Sequence, residues 1–424
     1  MSSSASTGRA AAAGAPSRLF VLLLCWLVVV FDGYDLIVYG AVVPKLLVEP
    51  GWNLTPSTAG TIGSLAFLGM LVGALTAGWV ADRLGRRTTV IAATVLFSAA
   101  TDACALAPSP EMFAVLRLVA GLGLGGVVPS ANALVAEFAG PRQRAMTATL
   151  MMSGIPIGGS LAALIGIRVI PAWGWRPMFA LALVGLVVLV PLLLAKLPES
   201  AAFQRSRQER AARAEAGRAE RPAGIFAPEW RWASILFAAA TVATLFAWYG
   251  LGTWLPNLMQ LAGYNLGSAL TFALALNLGA VAGSVITAWA GTRFGPIPTA
   301  IAAAAVAAGA LVVLVTGPPV TVVYLMLVLA GVGTHGTQCL IIAAVASHYP
   351  AHLRGTALGW ALGTGRIGAV AAPQIGGLLL AAGLGVNSNF LAFAGAAAIA
   401  AVLLAAVGLK LKSKSPISQG ASNV

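Results

Sequence analysis

The sequence predicts an all-α membrane protein with twelve transmembrane helices in two similar six-helix halves. Hydrophobic residues make up 59% of the 424 residues and charged residues only 9%, against about 25% charged in soluble domains. Apolar runs of about 20 residues, the length that crosses a bilayer, recur along the chain. Residues of the first half recur at one fixed offset in the second. Lipid must therefore surround most of the chain, which excludes a soluble enzyme and a disordered chain.

The apolar runs place the transmembrane spans. In chain order they are predicted near 19–43, 57–81, 88–107, 111–137, 146–170, 177–196, 232–260, 268–290, 298–316, 320–346, 355–382 and 388–409. Glycine and proline occur inside several of them, which membrane helices tolerate better than soluble helices do.

The distribution of basic residues predicts the orientation. Of the 25 Lys and Arg residues, twenty lie in the tails and in loops on the same side, and three lie on the opposite side. Because cytoplasmic loops carry the excess of Lys and Arg, both termini are predicted to be cytoplasmic in the cell membrane, with an even number of spans, twelve or ten. The net charge of +13 then reflects loop topology, and no nucleic-acid partner is expected.

An internal repeat defines the segments. We predict a tail at 1–18, a six-helix half at 19–197, a cytoplasmic linker at 198–230, a second half at 231–410 and a tail at 411–424. At an offset of 210, residues Tyr39, Gly40, Arg83, Gly85, Gly121, Gly123, Gly126, Arg144 and Gly158 match Tyr249, Gly250, Arg293, Gly295, Gly331, Gly333, Gly336, Arg354 and Gly368. Such duplication is typical of secondary transporters with a midplane site between the halves.

Several motifs resemble a known family. The segment 78–87, Gly-Trp-Val-Ala-Asp-Arg-Leu-Gly-Arg-Arg, resembles the loop 2–3 signature of the major facilitator superfamily, and 117–123 resembles its fourth-span signature. Within it, 32–35 (Asp-Gly-Tyr-Asp) and 363–368 (Gly-Thr-Gly-Arg-Ile-Gly) resemble the aromatic acid:proton symporters. The resemblance implies proton-coupled uptake of benzoates. One departure is Thr292, which stands where the first copy of the loop signature has Asp82.

Carboxylates occur only before the second half. There are 12 acidic residues and the last is Glu229, so a proton-carrying carboxylate must lie in the first half. Asp32 and Asp35 share one face of span 1, and two close carboxylates favour protonation of one of them. They are predicted to couple protons and position substrate. The alternatives are a structural cap near Gly33, or a pair neutralised by Arg117.

Basic and polar residues within spans are the other candidates, because burying them in lipid is costly. Arg366 needs an anionic partner, which must be Asp32, Asp35 or the substrate, and a guanidinium holds a carboxylate bidentately. Arg117 could take the same role, and the superfamily resemblance instead implies proton handling there. His335 is predicted to line the cavity with Gln338 and to assist in binding the carboxylate.

Four aromatic residues are candidates for contact with an aromatic ring. They are Tyr39, Trp248, Tyr249 and Trp360. Packing or anchoring at the membrane interface is the alternative for each.

Residues in and beside the cytoplasmic loops, most of them charged, are predicted to form a gate whose ion pairs form in one state and break in the other. The candidates are Gly78, Asp82, Arg83, Gly85, Arg86, Arg87, Glu137, Arg144 and Arg354.

The sequence therefore predicts an alternating-access symporter for a small aromatic carboxylate, working as a monomer without metal or cofactor. Benzoate is favoured over a hydroxylated relative by 35–40 (Asp-Leu-Ile-Val-Tyr-Gly). A proton-coupled exporter of the same fold is the first alternative, and a sensor that binds the acid without transporting it is the second.

Overall fold

The structure is a computed structural model that describes residues 18–138, 144–199 and 224–413; the side chains of Asp82 and Arg144 lie outside the described part. Its helices are α1 (Arg18–Leu46), α2 (Pro56–Leu84), α3 (Arg86–Cys104), α4 (Pro110–Phe138), α5 (Arg144–Trp173), α6 (Arg176–Lys196), α7 (Arg231–Leu261), α8 (Leu266–Phe294), α9 (Pro296–Val315), α10 (Val320–His348), α11 (Ala351–Ala381) and α12 (Gly385–Ser413). The predicted twelve-helix class is confirmed.

Ten of these twelve helices are apolar enough to qualify as membrane spans by composition alone. The exceptions are α3, which begins with Arg86 and Arg87, and α11, which carries Arg354 and Arg366. Helix α6 contains a π-helical turn at Gly185–Leu189. Polar residues thus lower the hydropathy of α3 and α11, although the two helices have 19 and 31 residues.

The repeat is visible in the helix boundaries. Helices α2 and α8 begin and end 210 residues apart, and so do α4 and α10. The caps agree, because the Thr55 hydroxyl accepts from the Thr58 N–H before α2, and the Asn265 carboxamide accepts from the Ser268 N–H before α8. Short polar side chains satisfy the free N–H groups of a helix start, which is why both helices begin there.

Packing follows the same symmetry. In the first half α1 packs on α5 and α2 on α4, and in the second half α7 packs on α11 and α8 on α10. The halves meet where α2 contacts α11, α5 contacts α8, and α1 contacts α7. We call the end that holds Arg18 and Lys410 the tail end, and the opposite end, which holds the α1–α2 turn, the far end.

The two halves are closed against each other at the far end. A Cβ at Gly60 of α2 would collide with the Pro373 backbone of α11, and one at Gly40 would collide with the Gly252 carbonyl of α7. The Thr61 hydroxyl also donates to Gln374 Oε1 at 2.7 Å. Nearer the tail end of the α2–α11 pair, Gly78 and Gly359 face open space. Helices α2 and α11 therefore splay apart toward the tail end.

Candidate functional site

A buried ion pair lies in the middle of the first half. Arg117 Nη1 of α4 donates to both carboxylate oxygens of Asp35 at 2.9 Å, and its Nη2 donates to the Asp35 carbonyl at 3.3 Å. The Thr101 hydroxyl donates to Asp35 Oδ1 at 2.6 Å. Both charged side chains are at most 2% exposed. Asp35 is thus held as a hydrogen-bonded carboxylate inside the protein.

Asp32, one turn earlier in α1, has a different environment. It is fully buried, and neither carboxylate oxygen has a hydrogen-bond partner among the described residues. The charges of Arg366 and Asp35 both act on it. A buried carboxylate without a partner is costly when ionised, so Asp32 differs from Asp35, whose charge is compensated by Arg117.

Glycines let α1 and α5 approach closely enough to bury this carboxylate. A Cβ at Gly33 would collide with the Ile155 backbone, and one at Gly158 would overlap the backbone of Val30. The Tyr34 hydroxyl donates to the Met178 carbonyl at 2.8 Å, which fixes the same turn of α1. Small residues at such crossings are the usual device of membrane helix pairs.

Arg366 of α11 lies across from Asp32. Its Nη1 donates to the Tyr249 hydroxyl at 3.3 Å and lies 3.9 Å from Met70 Sδ. It forms no ion pair with a described carboxylate within 4.0 Å. The Tyr249 ring packs on Phe67, with centroids 4.5 Å apart. The guanidinium is therefore half-buried among aromatic and thioether groups, and its remaining N–H groups can donate hydrogen bonds to an anion.

The buried polar residues of α10 lie on the second half's side of this region. The His335 ring lies 5.3 Å from the Trp248 ring and close to the backbone of Met152 in α5. Its Nε2 and the Gln338 Oε1 have no partner among the described residues. His335 and Gln338 are 3% and 5% exposed.

Two predicted aromatic residues lie away from Arg366. The Tyr39 hydroxyl donates to the Ala59 carbonyl at 2.5 Å, toward the far end, and the ring lies 5.9 Å from the Arg117 guanidinium. Trp360 donates to the Ser234 carbonyl at 3.1 Å and contacts Phe226 near the tail end. Their predicted contact with substrate stays a prediction.

The predicted gate residues lie at the tail end, all in the first half except Arg354 of α11. Arg86 forms an ion pair with Glu137 and donates to the Ala133 carbonyl, while Arg83 lies 3.8 Å over the Trp79 ring. Arg354 is exposed and Gly78 faces open space. The predicted contributions of the Asp82 and Arg144 side chains lie outside the described part.

Arg87 and Gly85 join the end of α6 to the start of α3. Arg87 donates to the carbonyls of Leu194 and Leu197 at 2.5 and 2.6 Å, and its backbone N–H donates to Glu199 Oε1 at 3.2 Å. The Glu199 carboxylate also occupies the space beside Gly85. A carboxylate at a helix start is favourable because the free N–H groups there carry partial positive charge.

Sequence reasoning missed several of these contacts. Thr101, Met70, Phe67 and Glu199 all touch predicted site or gate residues. The only available signal was for Glu199, an acidic residue directly after an apolar span.

The comparison with family models identifies the chain. Residues 25–373 and 278–422 match the model of the Major Facilitator Superfamily. The chain belongs to the major facilitator superfamily. The homologues of this chain in the superfamily are transporters and not enzymes, as the sequence predicted.

Relatives within the superfamily are transporters of aromatic acids. The chain is 54% identical to the gentisate transporter of Corynebacterium glutamicum, over 93% of this chain and 88% of that protein. It is 34% identical to the benzoate transport protein of Acinetobacter baylyi, over 89% and 86%. It is 32% identical to a 4-hydroxybenzoate transporter of Pseudomonas aeruginosa, over 92% of each chain.

Solved structures show the superfamily fold. The D-xylose-proton symporter superposes with a TM-score of 0.75 at 19% identity, covering 92% of this chain and 97% of that one. The inward-open xylose transporter of E. coli superposes with a TM-score of 0.72 at 18% identity, covering 91% and 95%.

Proposed function

We propose that this chain is a proton-coupled importer of gentisate or a closely related hydroxybenzoate in the cytoplasmic membrane, with its tail end in the cytoplasm. The distribution of Lys and Arg supports the orientation. The relatives support the class of substrate, since the proteins compared above carry gentisate, benzoate and 4-hydroxybenzoate.

The environment of Asp32 carries the proposal of proton coupling. Asp35 is tied to Arg117 and Thr101, whereas Asp32 is buried with both oxygens unpartnered among the described residues. A proton on Asp32 removes the cost of a buried charge. A substrate anion bound close to Arg366 offsets part of the positive charge that acts on Asp32. Asp32 is therefore the proposed proton carrier, and the Asp35–Arg117 pair holds α1 on α4 around it.

Coupling is needed on energetic grounds. Moving one anion inward against an inside-negative potential of 100 mV costs about 2.3 kcal/mol. One proton travelling with the anion cancels that charge. Since the acidic residues end at Glu229, the proton is carried in the first half and the anion is held by Arg366 in the second.

The substrate is proposed from the contacts around Arg366 and from the relatives. The guanidinium holds the carboxylate, and the Tyr249 and Phe67 rings beside it offer faces for an aromatic ring. The sequence alone favoured benzoate. The relative at 54% identity carries gentisate and the one at 34% carries benzoate, which favours the hydroxylated acid.

The test is uptake of labelled gentisate into proteoliposomes, with and without an inward proton gradient. We expect gradient-driven uptake in the wild type and its loss in Asp32→Asn, with exchange at equal pH retained. Asp102→Asn is the matched control, because it removes a carboxylate from the membrane helix α3 without touching the Asp32–Arg366 region. Equal gradient dependence in Asp32→Asn would contradict the assignment of the proton.

Efflux measurements in the same proteoliposomes test the exporter alternative. If wild-type protein moved no aromatic acid but drove proton-coupled efflux of unrelated cationic compounds, the proposed substrate class would be wrong while the fold would stand.

A further inference from the structure

We propose that His335 and Gln338 of α10 form a subsite that accepts a ring hydroxyl of the substrate, and that this subsite selects hydroxylated over unsubstituted benzoates. The inference rests on the proposed function, since it assumes an aromatic acid in the Arg366 region.

His335 lies at the same depth in the helix bundle as Asp32 and Arg366. Asp32, Arg366, Met70 and His335 each stand about four helical turns from the tail end of their own helix. His335 and Gln338 are three residues apart, so their side chains share one face of α10. His335 contacts Trp248, and the next residue, Tyr249, contacts Arg366. The proposed subsite and the anion site thus flank two consecutive residues of α7.

A proline leaves an unbonded carbonyl beside the imidazole. Pro156 lies inside α5 and lacks an N–H, so the carbonyl four residues earlier, that of Met152, has no intrahelical donor. His335 lies close to the Met152 backbone, and its Nε2 has no partner among the described residues. We assign the imidazole proton to Nδ1, facing the Met152 carbonyl, which leaves Nε2 as a hydrogen-bond acceptor.

Both unpartnered atoms are consequently acceptors. His335 Nε2 offers one lone pair, and Gln338 Oε1 is a carboxamide oxygen. A carboxylate has only acceptors and is not stabilised there, so the proposal gives His335 a different role from the carboxylate binding predicted from the sequence. A phenolic hydroxyl is a donor and complements them.

The chemistry of gentisate says which hydroxyl is bound. The hydroxyl ortho to the carboxylate can bond that carboxylate within the molecule, whereas the hydroxyl meta to it has no such partner. The meta hydroxyl is the group free to donate to His335 or Gln338. Unsubstituted benzoate leaves both acceptors unpaired, and a site built to bond a hydroxyl discriminates against an analogue that lacks it.

The test measures inhibition of labelled gentisate counterflow in proteoliposomes by benzoate, 2-hydroxybenzoate and 3-hydroxybenzoate. In the wild type we expect 3-hydroxybenzoate to compete about tenfold better than benzoate, the worth of one hydrogen bond, and 2-hydroxybenzoate to compete like benzoate. In His335→Phe and Gln338→Met the preference for 3-hydroxybenzoate should fall toward one, with benzoate competing as well as before. His335→Gln keeps an acceptor and should retain part of the preference.

Asn389→Leu is the matched control. Asn389 of α12 is fully buried and both of its carboxamide atoms are unpartnered among the described residues, but it packs beside Gly376 and Trp254, away from Arg366. Its variant should keep the wild-type order of competitors.

The outcomes separate the two proposals. If wild-type vesicles carry no aromatic acid, the proposed function fails. If they carry gentisate but the α10 variants weaken all competitors equally, or leave the order unchanged, the subsite is wrong and the proposed function stands.

Discussion

Arg117 holds Asp35 through both carboxylate oxygens, each 2.9 Å from the same Nη1. The pair joins α1 to α4 in the interior of the first half, where both side chains are almost fully buried. Breaking such a pair from one side leaves an uncompensated charge, whereas replacing both partners by apolar groups is often close to neutral.

Single and double replacements of this pair should therefore differ sharply. We expect Arg117→Leu to lower the free energy of unfolding by about 3–5 kcal/mol, and Asp35→Leu with Arg117→Leu to recover most of that loss. Thermal unfolding in detergent measures both. Additive losses in the double variant would show that the two residues act independently.

The closed far end gives a prediction about accessibility. In a background with Cys25, Cys104 and Cys339 replaced, Thr61→Cys with Gln374→Cys should be joined through two disulfides by a short bis-methanethiosulfonate reagent, because the Thr61 hydroxyl and the Gln374 carboxamide are in contact. The link should block transport until it is reduced, since alternating access requires this end to open.

A pair of cysteines nearer the tail end is the matched control for the Thr61–Gln374 pair. Gly78→Cys with Gly359→Cys lies on the same two helices, but a Cβ at either position faces open space. We expect no link by the same short reagent. Efficient linking of this pair and none of the far-end pair would reverse the assignment of the open end.

The turns before α3 and α9 allow a comparison at fixed backbone geometry. Gly85 has φ 94° and ψ 156°, and Gly295 has φ 91° and ψ 148°, a region that is close to glycine-only, so alanine at either position is strained by about 1–3 kcal/mol. At Gly85 the new methyl group would also meet the Glu199 carboxylate, whereas the nearest atom at Gly295 is 3.6 Å away. Gly85→Ala should lower the melting temperature more than Gly295→Ala does.

The reason for that difference is tested by removing the carboxylate. In a Glu199→Ala background, the two glycine variants should lose similar stability. A gap that persisted there would mean that contacts other than Glu199 restrict Gly85.

Glu49, in the turn between α1 and α2, should give a pH dependence to stability. Burial alone would raise its pKa, but hydrogen bonds from Arg176 and Trp175 and the charge of Arg176 hold the pKa below its ordinary 4.5. A lowered pKa means that the stabilisation is present above pH 4.5 and is lost as the pH falls through the lowered value.

The corresponding measurement is the melting temperature of wild type and Glu49→Gln between pH 7 and pH 3. The wild type should be more stable at pH 7 by about 1 kcal/mol or less, and the two should converge at low pH. Arg176→Gln should remove most of the pH dependence. A constant difference at every pH would exclude the ionic contribution.

The fold was predictable because its determinants are local. Apolar runs locate the helices to within a few residues, and the capping residues Thr55 and Asn265 recur at the repeat offset, so helix starts recur too. Even the polar helices α3 and α11 were recovered, since the spans on either side of them required the chain to cross.

The candidate site was predictable only as a set of residues. Which arginine holds which aspartate depends on whether α4 or α11 lies nearer to each face of α1, and sequence carries no such distance. Thr101 was missed because a threonine inside an apolar helix most often bonds its own backbone. The approach of His335 to the Met152 backbone depends on the register of α10 against α5, which belong to different halves.

The constant offset between the halves has a consequence for how they came to differ. From Pro56 to His348 the paired helices keep the same separation along the chain, so the stretches 56–138 and 266–348 have diverged without any net change in length. The acidic residues are confined to the first 229 positions. Within these two stretches, the difference therefore comes from replacement of side chains and not from insertion or deletion of backbone. The two halves thus share one backbone pattern but differ in buried charge: the first holds Asp32 and the Asp35–Arg117 pair, and among the described residues the second holds Arg366 at the same depth and no carboxylate.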